Sequence, residues 1–360
     1  MHIPVGIRSL AVSLPSVIRT NSYYQEKYPE LVAKAESKTL CRLMSLTEST
    51  PSNDFELEMM PYLKDPFRGT VERRVLGEGE TALTLEYRAA KEAIDGAKLS
   101  PLDVDLIIVS SFLPDQLGFG NAAFLARELG LKCGAWNLDA SCCSAPVALE
   151  TASALVQAGK YRNVLVVISC TYSRLVDEDD TLSWFFGDGA GAFVVGSLSV
   201  NQGILGTKAI NTSVLCDKLD VKVIEDEKGN QKFRMKVAKD MNNIIGNTSA
   251  EMVRTCCEGA AAAAGVTLND INFFVLNTAT AWLANFYIRT LRIDPERTVN
   301  FYPSYANMGA VVTLANLYHA SQMGKICEND LVLMYSFGTA SSAAATVMRW
   351  GDVALGTLPQ

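Results

Sequence analysis

Short, continuous apolar runs alternate along this chain with stretches whose apolar residues recur at helical spacing. The apolar runs are typical of strands that are buried on both faces of a sheet. The pattern predicts strands at 7–14, 103–111, 163–170 and 193–196, and helices at 81–97, 122–129, 146–158 and 249–264. This alternation indicates an α/β protein with mainly parallel sheets.

Two segments interrupt the alternation. Residues 21–70 hold a charged helical stretch, a polar loop at 47–54 and an acidic stretch with two methionines. This segment is interpreted as a lid, a partner surface or an ordinary solvated insertion, since exposed charge needs no special function. Residues 221–224 and 232–237 flank Lys228-Gly229-Asn230 and predict a solvent-facing hairpin.

The second half of the chain repeats the first. A helix end, a loop and a strand of equal length occur in both halves, and Cys142 and Asn307 each lie 17 residues before a glycine that precedes a lysine and a buried strand. The duplication predicts two α/β halves, 1–200 and 201–360, packed with approximate two-fold symmetry. Cys142 and Asn307 would then occupy equivalent helix starts and face one cleft.

The stretch W-N-L-D-A-S-C-C-S-A-P-V-A-L-E at 136–150 places Cys142 at the start of a helix. Proline near the first turn suits such a start. Ser141, Cys142 and Ser144 therefore lie where unpaired backbone N–H groups gather. The helix dipole favours a thiolate there, which is one way to make a nucleophile. The alternative is a small buried cysteine that serves packing, because free cysteine is among the most buried residue types.

Composition and charge narrow the classes of function. Of the 360 residues 49% are apolar, which is enough for a substantial core. With a net charge of −7, nucleic acid or an anionic membrane is not expected as the main partner. No apolar run is long enough for a membrane span, and the first residues lack a signal-peptide pattern. Nine cysteines without a C-x-x-C motif and only two histidines predict cytoplasmic free thiols, no zinc site and no resident cofactor.

The glycine-rich stretch F-G-D-G-A-G-A at 186–192 is a candidate phosphate loop by composition alone. It does not open a helix after a first strand, which the dinucleotide-binding interpretation requires. The glycines are therefore interpreted as a close packing point between a turn and a strand.

Together the motifs resemble a known family. The duplicated pattern is similar to the thiolase fold, which implies two pseudo-symmetric α/β halves in an αβαβα layered arrangement. Within that fold the chain resembles the ketoacyl-acyl-carrier-protein synthase III group over nearly its whole length, least at 21–70 and 200–245. The matching motifs are W-N-L-D-A-S-C-C-S-A at 136–145, S-R at 173–174, F-G-D-G-A-G-A at 186–192, A-N-M-G at 306–309 and F-G-T-A at 337–340.

The resemblance implies roles for individual residues. Cys142 would take an acyl group as a thioester, Asn307 would support attack by a second substrate, and the backbone N–H groups of Cys142 and Thr339 would form the oxyanion hole. Where the family motif reads H-Q-A-N-x-R, this chain has N-T-A-T-A-W at 277–282. Asn277 therefore replaces the family's histidine, and Trp282 replaces an arginine that helps to hold the cofactor.

These two replacements change the expected chemistry. An amide has no useful basicity near neutral pH, although it still donates hydrogen bonds. Without the histidine at 277 the usual route for decarboxylating a malonyl group should be lost, and without the arginine at 282 coenzyme A should bind weakly. Ordinary fatty-acid chain initiation is therefore not expected. His319 lies well down the following helix and is expected to be structural.

Three functional hypotheses remain. The chain is similar to ketosynthase-III-like subunits of bacterial acetyltransferase complexes that form diacetylphloroglucinol by moving an acetyl group between phloroglucinol rings. That resemblance implies a homodimer that also binds a thiolase-like subunit and a small OB-fold-like subunit, with the main nucleophile in a partner. The alternative is a stand-alone acyltransferase that uses Cys142 without decarboxylation, aided by Asn307 and Asn277. A module that binds acyl chains or aromatic molecules without chemistry ranks last.

Overall fold

The computed structural model describes residues 3–46, 51–225 and 229–357, and residues 40–46 by their backbone alone. The first half holds β1 (Val5–Ser13), β2 (Val17–Thr20), α1 (Asn21–Lys27), α2 (Pro29–Leu46), α3 (Asp54–Met59), β3 (Glu72–Val75), α4 (Ala82–Gly96), β4 (Leu106–Phe112), α5 (Ala122–Glu128), β5 (Gly134–Asn137), α6 (Ser144–Gln157), β6 (Val164–Thr171) and β7 (Asp188–Ser197). The second half holds β8 (Gly203–Asn211), β9 (Leu219–Glu225), β10 (Gln231–Val237), α7 (Met241–Ala263), β11 (Phe273–Leu276), α8 (Leu283–Leu291), α9 (Tyr302–Tyr305), α10 (Val311–Gln322), β12 (Leu331–Phe337), β13 (Ser342–Arg349) and β14 (Ala354–Leu355).

Two mixed sheets form the frame of the protein. The first has the strand order β14-β1-β7-β6-β4-β5, and the second has the order β11-β12-β13-β8. β4, β5 and β6 run parallel, but β7 is antiparallel to both of its neighbours, and β13 is antiparallel to β12 and β8. The prediction of mainly parallel sheets was wrong, because β6–β7 and β12–β13 are joined without a crossover α-helix and such strands return antiparallel.

The helices cover both sheets and fill the space between them. α4 and α5 pack on the outer face of the first sheet, and α7 and α8 cover the outer face of the second. α6 and α10 lie between the sheets, where Leu149 and Leu314 are fully buried. Burying such a leucine stabilises the fold by about 1.5–3 kcal/mol. The resulting αβαβα layers confirm the predicted fold.

Only some helix boundaries follow local sequence signals. Thr81 and Thr84 form a capping box at the start of α4, where the periodic stretch predicts a helix. α7 begins eight residues before the predicted start at 249. Its first turns contain Asn242, Asn243 and Gly246, which have low intrinsic helix propensity, so the sequence signal for a helix is weak there.

The segment 21–70 has a small core of its own. Its ends lie beside β2 and β3, which pair antiparallel. Tyr24 and Phe67 pack against Trp184 with ring centroids 6.0 and 4.5 Å away, and buried Arg73 donates to the Trp184 carbonyl. The segment is therefore docked on the frame. Residues 47–50 of the polar loop predicted at 47–54 lie outside the described residues, and Asn53 in its second half caps α3.

The predicted hairpin is present as the antiparallel pair of β9 and β10. Its predicted turn at 228–230 falls partly outside the described residues. Leu219 and Val237 at the base of the hairpin line a cavity, so the hairpin is not wholly solvent-facing.

The glycine-rich stretch is a close packing point, as predicted, but it lies within β7. A Cβ added at Gly189 would lie 3.0 Å from Met308 Sδ, and one at Gly191 would lie 2.7 Å from Leu314 Cδ1. β7 begins at Asp188, five residues before the predicted strand. Because Gly189 and Gly191 have no side chains, α10 and the residues before it can approach the first sheet closely.

Candidate active site

A cavity of about 300 Å³ opens between the two halves. Cys142, Asn277, Asn307 and Thr339 all line it, so the structure brings the predicted site residues together. Most of the other lining residues are apolar or aromatic. Among the described residues that line the cavity, none is a histidine, aspartate, glutamate or lysine.

Cys142 lies in the 3₁₀ turn Ser141–Cys143, which leads directly into α6. The residue is half-buried and lines the cavity. Cys143 is fully buried on the other side of the turn, with its Sγ 3.4 Å from the Ser336 carbonyl oxygen. The predicted position at a helix start is therefore observed, and the geometry favours Cys142 over its neighbour as the reactive thiol.

Burial decides the acidity of the Cys142 thiol. The surrounding protein raises its pKa, and hydrogen bonds from the hydroxyls of Tyr172 and Ser141 oppose that rise. The Sγ of Cys142 lies 3.6 Å from Tyr172 Oη. The expectation that the helix start favours the thiolate is therefore not met overall, because the cost of desolvating the thiolate outweighs the dipole.

Asn277 follows directly on β11 and is completely buried. Its Nδ2 donates to Ser336 Oγ at 3.0 Å, and Ser336 Oγ donates to the carbonyl oxygen of Cys142 at 2.7 Å. Asn277 Oδ1 has no hydrogen-bond partner among the described residues. The amide NH₂ thus braces the back of the Cys142 turn, and the amide oxygen is left without a partner among the described residues.

Asn307 is held by the glycine-rich motif. Its N–H donates to the Phe185 carbonyl and its carbonyl accepts from the Gly187 N–H, both at 3.0 Å. A Cβ at Gly187 would lie 2.3 Å from the Tyr305 carbonyl oxygen, so only glycine fits there. Asn307 Oδ1 accepts from the Gly309 N–H at 2.8 Å. This orientation leaves the amide NH₂ of Asn307 as the group that can donate to a cavity ligand.

The turn at 338–339 lies against the Cys142 turn. A Cβ at Gly338 would lie 3.2 Å from Cys142 N, and Thr212 Oγ1 donates to the Gly338 carbonyl at 2.6 Å. Within the described part of the chain, no other residue accepts from the N–H of Cys142 or Thr339. Two free donors beside a thiol are what an oxyanion hole needs, and that role stays a prediction.

Backbone strain marks three site residues. Ser141, Ala306 and Ala340 have φ angles of 54°, 55° and 54°, and they adjoin Cys142, Asn307 and Thr339. A positive φ costs a non-glycine residue of order 1–3 kcal/mol and persists only where the surroundings enforce it. The fold therefore positions these three groups at some cost in stability.

Trp282 forms part of the opposite wall. Its ring packs against Phe55 and Tyr62, each with a centroid 6.1 Å away. Phe55 belongs to α3 and lines the cavity. The segment 21–70 therefore contributes to the cavity wall as well as to the surface of the protein. Trp282 Nε1 and Thr280 Oγ1 are buried and have no hydrogen-bond partner among the described residues.

His319 lies away from the cavity and serves packing, as predicted. Its ring stacks on Phe301 with centroids 4.3 Å apart, and its Nε2 is 2.7 Å from Tyr305 Oη. Burial lowers the pKa of the imidazole, so it is neutral near pH 7.

Sequence reasoning missed Tyr172 and Ser336. Tyr172 follows β6 directly, and Ser336 is the penultimate residue of β12. Both lie at the carboxyl ends of buried strands, where α/β proteins place ligand-binding groups. That position, next to the S-R and F-G-T-A motifs, is the signal that could have found them.

Comparisons with known proteins agree with the motifs. The family model 3-oxoacyl-[acyl-carrier-protein (ACP)] synthase III matches residues 136–213, and the model of its C-terminal part matches residues 261–350. The β-ketoacyl-[acyl-carrier-protein] synthase III of Agrobacterium fabrum is 31% identical over 290 residues, which cover 78% of this chain and 88% of that relative. The protein of the same name from Gloeobacter violaceus is 32% identical over 292 residues, with 79% and 88% covered.

Solved structures show the same fold. The β-ketoacyl-[acyl carrier protein] synthase III of Thermus thermophilus, 26% identical, matches with a TM-score of 0.75 over 96% of this chain and 99% of that chain. The priming β-ketosynthase of the R1128 polyketide pathway matches with a TM-score of 0.78 at 21% identity, which concerns the fold alone. No helix in the described part of this chain is long and apolar enough to cross a membrane.

This chain therefore belongs to the 3-oxoacyl-[acyl-carrier-protein] synthase III family and has its thiolase-like fold. Members of the family are condensing enzymes that transfer acyl groups. Asn277 and Trp282, where the resemblance implies a histidine and an arginine, line the cavity that contains Cys142.

Proposed function

We propose that this chain is the ketosynthase-III-like subunit of a secondary-metabolite acyltransferase complex. The complex transfers an acetyl group to or from an acylphloroglucinol with formation of a carbon–carbon bond, and the main nucleophile lies in a partner subunit. The observation that supports this proposal most directly is the buried amide of Asn277, which is hydrogen-bonded to Ser336 at the position where the resemblance implies a histidine. An amide cannot exchange a proton near neutral pH, so a base for the reaction has to come from elsewhere.

Arg68 is the one charged side chain among the described residues that line the cavity, and the predominance of apolar and aromatic side chains around it favours a neutral aromatic ligand. Trp282 and Tyr172 contribute aromatic surface, and Asn277 Oδ1 and Trp282 Nε1 are an unpaired acceptor and an unpaired donor within the described residues. An unpaired buried polar atom costs about 1–3 kcal/mol, which a matching ligand group recovers. A ring with hydroxyl groups and an acetyl carbonyl, such as an acylphloroglucinol, offers both a donor and an acceptor.

The proposed assembly contains a homodimer of this chain with thiolase-like and small OB-fold-like partner subunits. β5 is an edge strand of the first sheet, and Leu117, Phe119 and Trp136 are 58%, 81% and 42% exposed near it. An unpaired strand edge beside exposed apolar side chains suits pairing with a second copy. Light scattering at micromolar concentration should give twice the mass of the chain, and a monomer would contradict the homodimer.

One observation favours a second function, a stand-alone acyltransferase that does not decarboxylate its substrate. Cys142, the Asn307 amide and the backbone N–H groups of Cys142 and Thr339 remain together at the cavity. A purely structural subunit has no need of strained backbone beside each of these groups. In this second function Cys142 carries the acyl group.

Acetyl exchange separates the two functions. Two molecules of monoacetylphloroglucinol give one of diacetylphloroglucinol and one of phloroglucinol, which chromatography resolves. The purified chain is assayed alone and with thiolase-like and OB-fold-like proteins of the same organism, each time as wild type and as Cys142→Ala. Intact-protein mass spectrometry of the same samples detects any acetyl group on Cys142.

If the proposed complex is correct, the chain alone gives no acetyl exchange and the full mixture does. The exchange by the full mixture should persist when Cys142→Ala replaces the wild-type chain. Exchange by the chain alone that Cys142→Ala abolishes, with an acetyl adduct on the wild type, would establish the stand-alone enzyme in its place. Binding of the acylphloroglucinol without exchange in any mixture would contradict both and leave the binding module.

A further inference from the structure

Tyr172 lies outside the 3₁₀ turn that contains Cys142, and its Oη is 3.6 Å from Cys142 Sγ. The residue opens the 3₁₀ turn that follows β6 and is 1% exposed. Phe112 and Phe186 hold its ring, with centroids 5.2 and 4.6 Å away. A Cβ at Gly309 would lie 3.4 Å from Tyr172 Oη, so the loop before α10 closes over the hydroxyl. The hydroxyl is therefore fixed beside the sulfur.

The acidity of the two groups sets the direction of this hydrogen bond. Burial raises the pKa of the Tyr172 phenol well above its ordinary value, and the hydrogen bond with Cys142 adds to that rise, so the phenol keeps its proton. The same hydrogen bond opposes the rise that burial causes in the pKa of the Cys142 thiol. When Cys142 ionises, Tyr172 Oη is therefore the donor and the sulfur is the acceptor.

Asn277 and Ser336 are engaged elsewhere, the Asn307 NH₂ is left for a cavity ligand, and Ser141, whose hydroxyl also hydrogen-bonds the Cys142 thiol, belongs to the Cys142 turn itself. Asn277 directs its NH₂ to Ser336 Oγ at 3.0 Å, and Ser336 directs its hydroxyl to the Cys142 carbonyl. Asn307 uses its amide oxygen to hold the Gly309 N–H. The described residues that line the cavity include no imidazole. A donor for the sulfur anion is therefore needed, and a hydrogen bond to a charged group is stronger than one to a neutral group.

We propose that Tyr172 is a catalytic residue whose hydroxyl donates a hydrogen bond to the Cys142 sulfur and stabilises the thiolate in the absence of the family's histidine. This deepens the second function given above, the stand-alone acyltransferase in which Cys142 carries the acyl group, and rests on it for its use in catalysis. In the transfer step the sulfur–acyl bond forms while the bond from the acyl carbon to its leaving group breaks. The Cys142 proton passes to that leaving group, and Tyr172 keeps its own proton throughout.

The test compares the alkylation of Cys142 in wild type and Tyr172→Phe. The isolated chain is treated with iodoacetamide between pH 7 and 9, and the peptide that contains Cys142 is followed by mass spectrometry, with fragmentation to separate Cys142 from Cys143. Only the thiolate reacts, so below the pKa the rate follows the fraction of thiolate. Losing the hydrogen bond should raise the thiol pKa by roughly one unit and lower the rate about tenfold at every pH in this range.

Tyr305→Phe is the matched control. It removes a hydroxyl that contacts His319 at 2.7 Å, and Tyr305 does not line the cavity. Its Cys142 alkylation rate should equal that of wild type. Thermal unfolding of all variants checks that they are folded. Should Tyr172→Phe fail to fold, Tyr172→Met fills the site with a flexible apolar side chain that has no hydroxyl, and it should slow alkylation of Cys142 about tenfold as well.

A Tyr172→Phe rate equal to that of wild type in a folded protein would overturn the proposal. Faster alkylation would overturn it too, because it would show that Tyr172 accepts from the thiol and stabilises the neutral form. Alkylation needs neither a partner nor an acyl donor. The result therefore stands apart from the exchange assay, and each proposal can fail without the other.

Discussion

The two walls of the cavity differ in how completely their polar groups are paired. On the wall of Cys142 and Asn307 the backbone is tied down by short hydrogen bonds, and strained residues adjoin the site. On the wall formed by 277–282, Asn277 Oδ1, Thr280 Oγ1 and Trp282 Nε1 are buried without partners among the described residues. The first wall has the geometry that positions a thiol, and the second carries Asn277 and Trp282 where the resemblance implies a histidine and an arginine.

This difference shows that the backbone geometry that positions a thiol can be present in a family member whose surrounding side chains favour different chemistry. The hydrogen bonds on the first wall would hold a nucleophile whether or not a base is present. The unpaired atoms on the second wall cost about 1–3 kcal/mol each unless a ligand meets them. The second wall is therefore interpreted as a binding surface for a ligand that differs from the family's own.

Gly338→Ala tests the first wall and has the largest expected effect. The new Cβ would lie 2.6 Å from the Ala140 carbonyl oxygen and 3.2 Å from Cys142 N, so the two turns must separate. Overpacking of this kind costs about 1–3 kcal/mol of stability. Displacing one oxyanion donor should also slow acyl-adduct formation on Cys142 by about 100-fold. Intact-protein mass spectrometry with a simple acyl thioester measures the adduct.

Gly118→Ala is the control for this variant. A Cβ at Gly118 meets nothing within 4 Å, and its φ lies outside the left-handed region. Its adduct formation and unfolding should match those of wild type. Full acylation of Gly338→Ala at the wild-type rate would show that this wall does not position the reaction.

Asp188, beneath the first wall, has a smaller expected effect that depends on pH. It accepts from the N–H groups of Leu76 and Ser173 and from Ser173 Oγ, yet burial raises its pKa from 3.8 to about 6. The folded state thus holds the proton more tightly than the unfolded state. Stability is therefore lost as pH rises from about 4 to 6, by roughly 1.4 kcal/mol per unit of pKa difference, or about 3 kcal/mol in all.

Asp188→Asn should remove this part of the pH profile, since an amide does not titrate. Relative to wild type, the variant should gain about 2–3 kcal/mol of unfolding free energy between pH 4 and pH 7. Urea denaturation at several pH values measures both proteins. Two profiles that run parallel over this range would contradict a buried, proton-retaining Asp188.

Much of the site could be predicted because it depends on spacing. The duplication placed Cys142 and Asn307 at matching helix starts, and the family motif placed Asn277 and Thr339 beside them. Their presence in one cavity needs only that the two halves pack symmetrically. The layered fold follows from the same periodic pattern of apolar residues.

What escaped prediction depends on tertiary contacts that no local pattern encodes. The pKa of Cys142 rises because the folded protein excludes water from it, and helix position alone points the other way. Tyr172 reaches the sulfur from the 3₁₀ turn that follows β6. Phe55 reaches Trp282 across more than 200 residues of sequence. The reversal of β7 depends on a connection that lacks the helix of its counterparts.

Asn277→His tests the second wall and has the smallest expected effect. It restores an imidazole beside Ser336, but Trp282 remains packed against Phe55 and Tyr62 where the family has an arginine. A base alone cannot decarboxylate a malonyl thioester that the cavity does not hold in place, because orientation supplies much of the rate. Release of carbon dioxide from radiolabelled malonyl thioester should stay at the wild-type level.

The double variant Asn277→His with Trp282→Arg provides the comparison, since it restores both family residues. The indole at 282 is buried against α3, so the arginine also opens space on that wall. If the single variant alone released carbon dioxide at ten times the wild-type level, the second wall would be missing only a base. The cavity would then still hold a malonyl thioester, and the neutral aromatic ligand proposed for it would lose its main support.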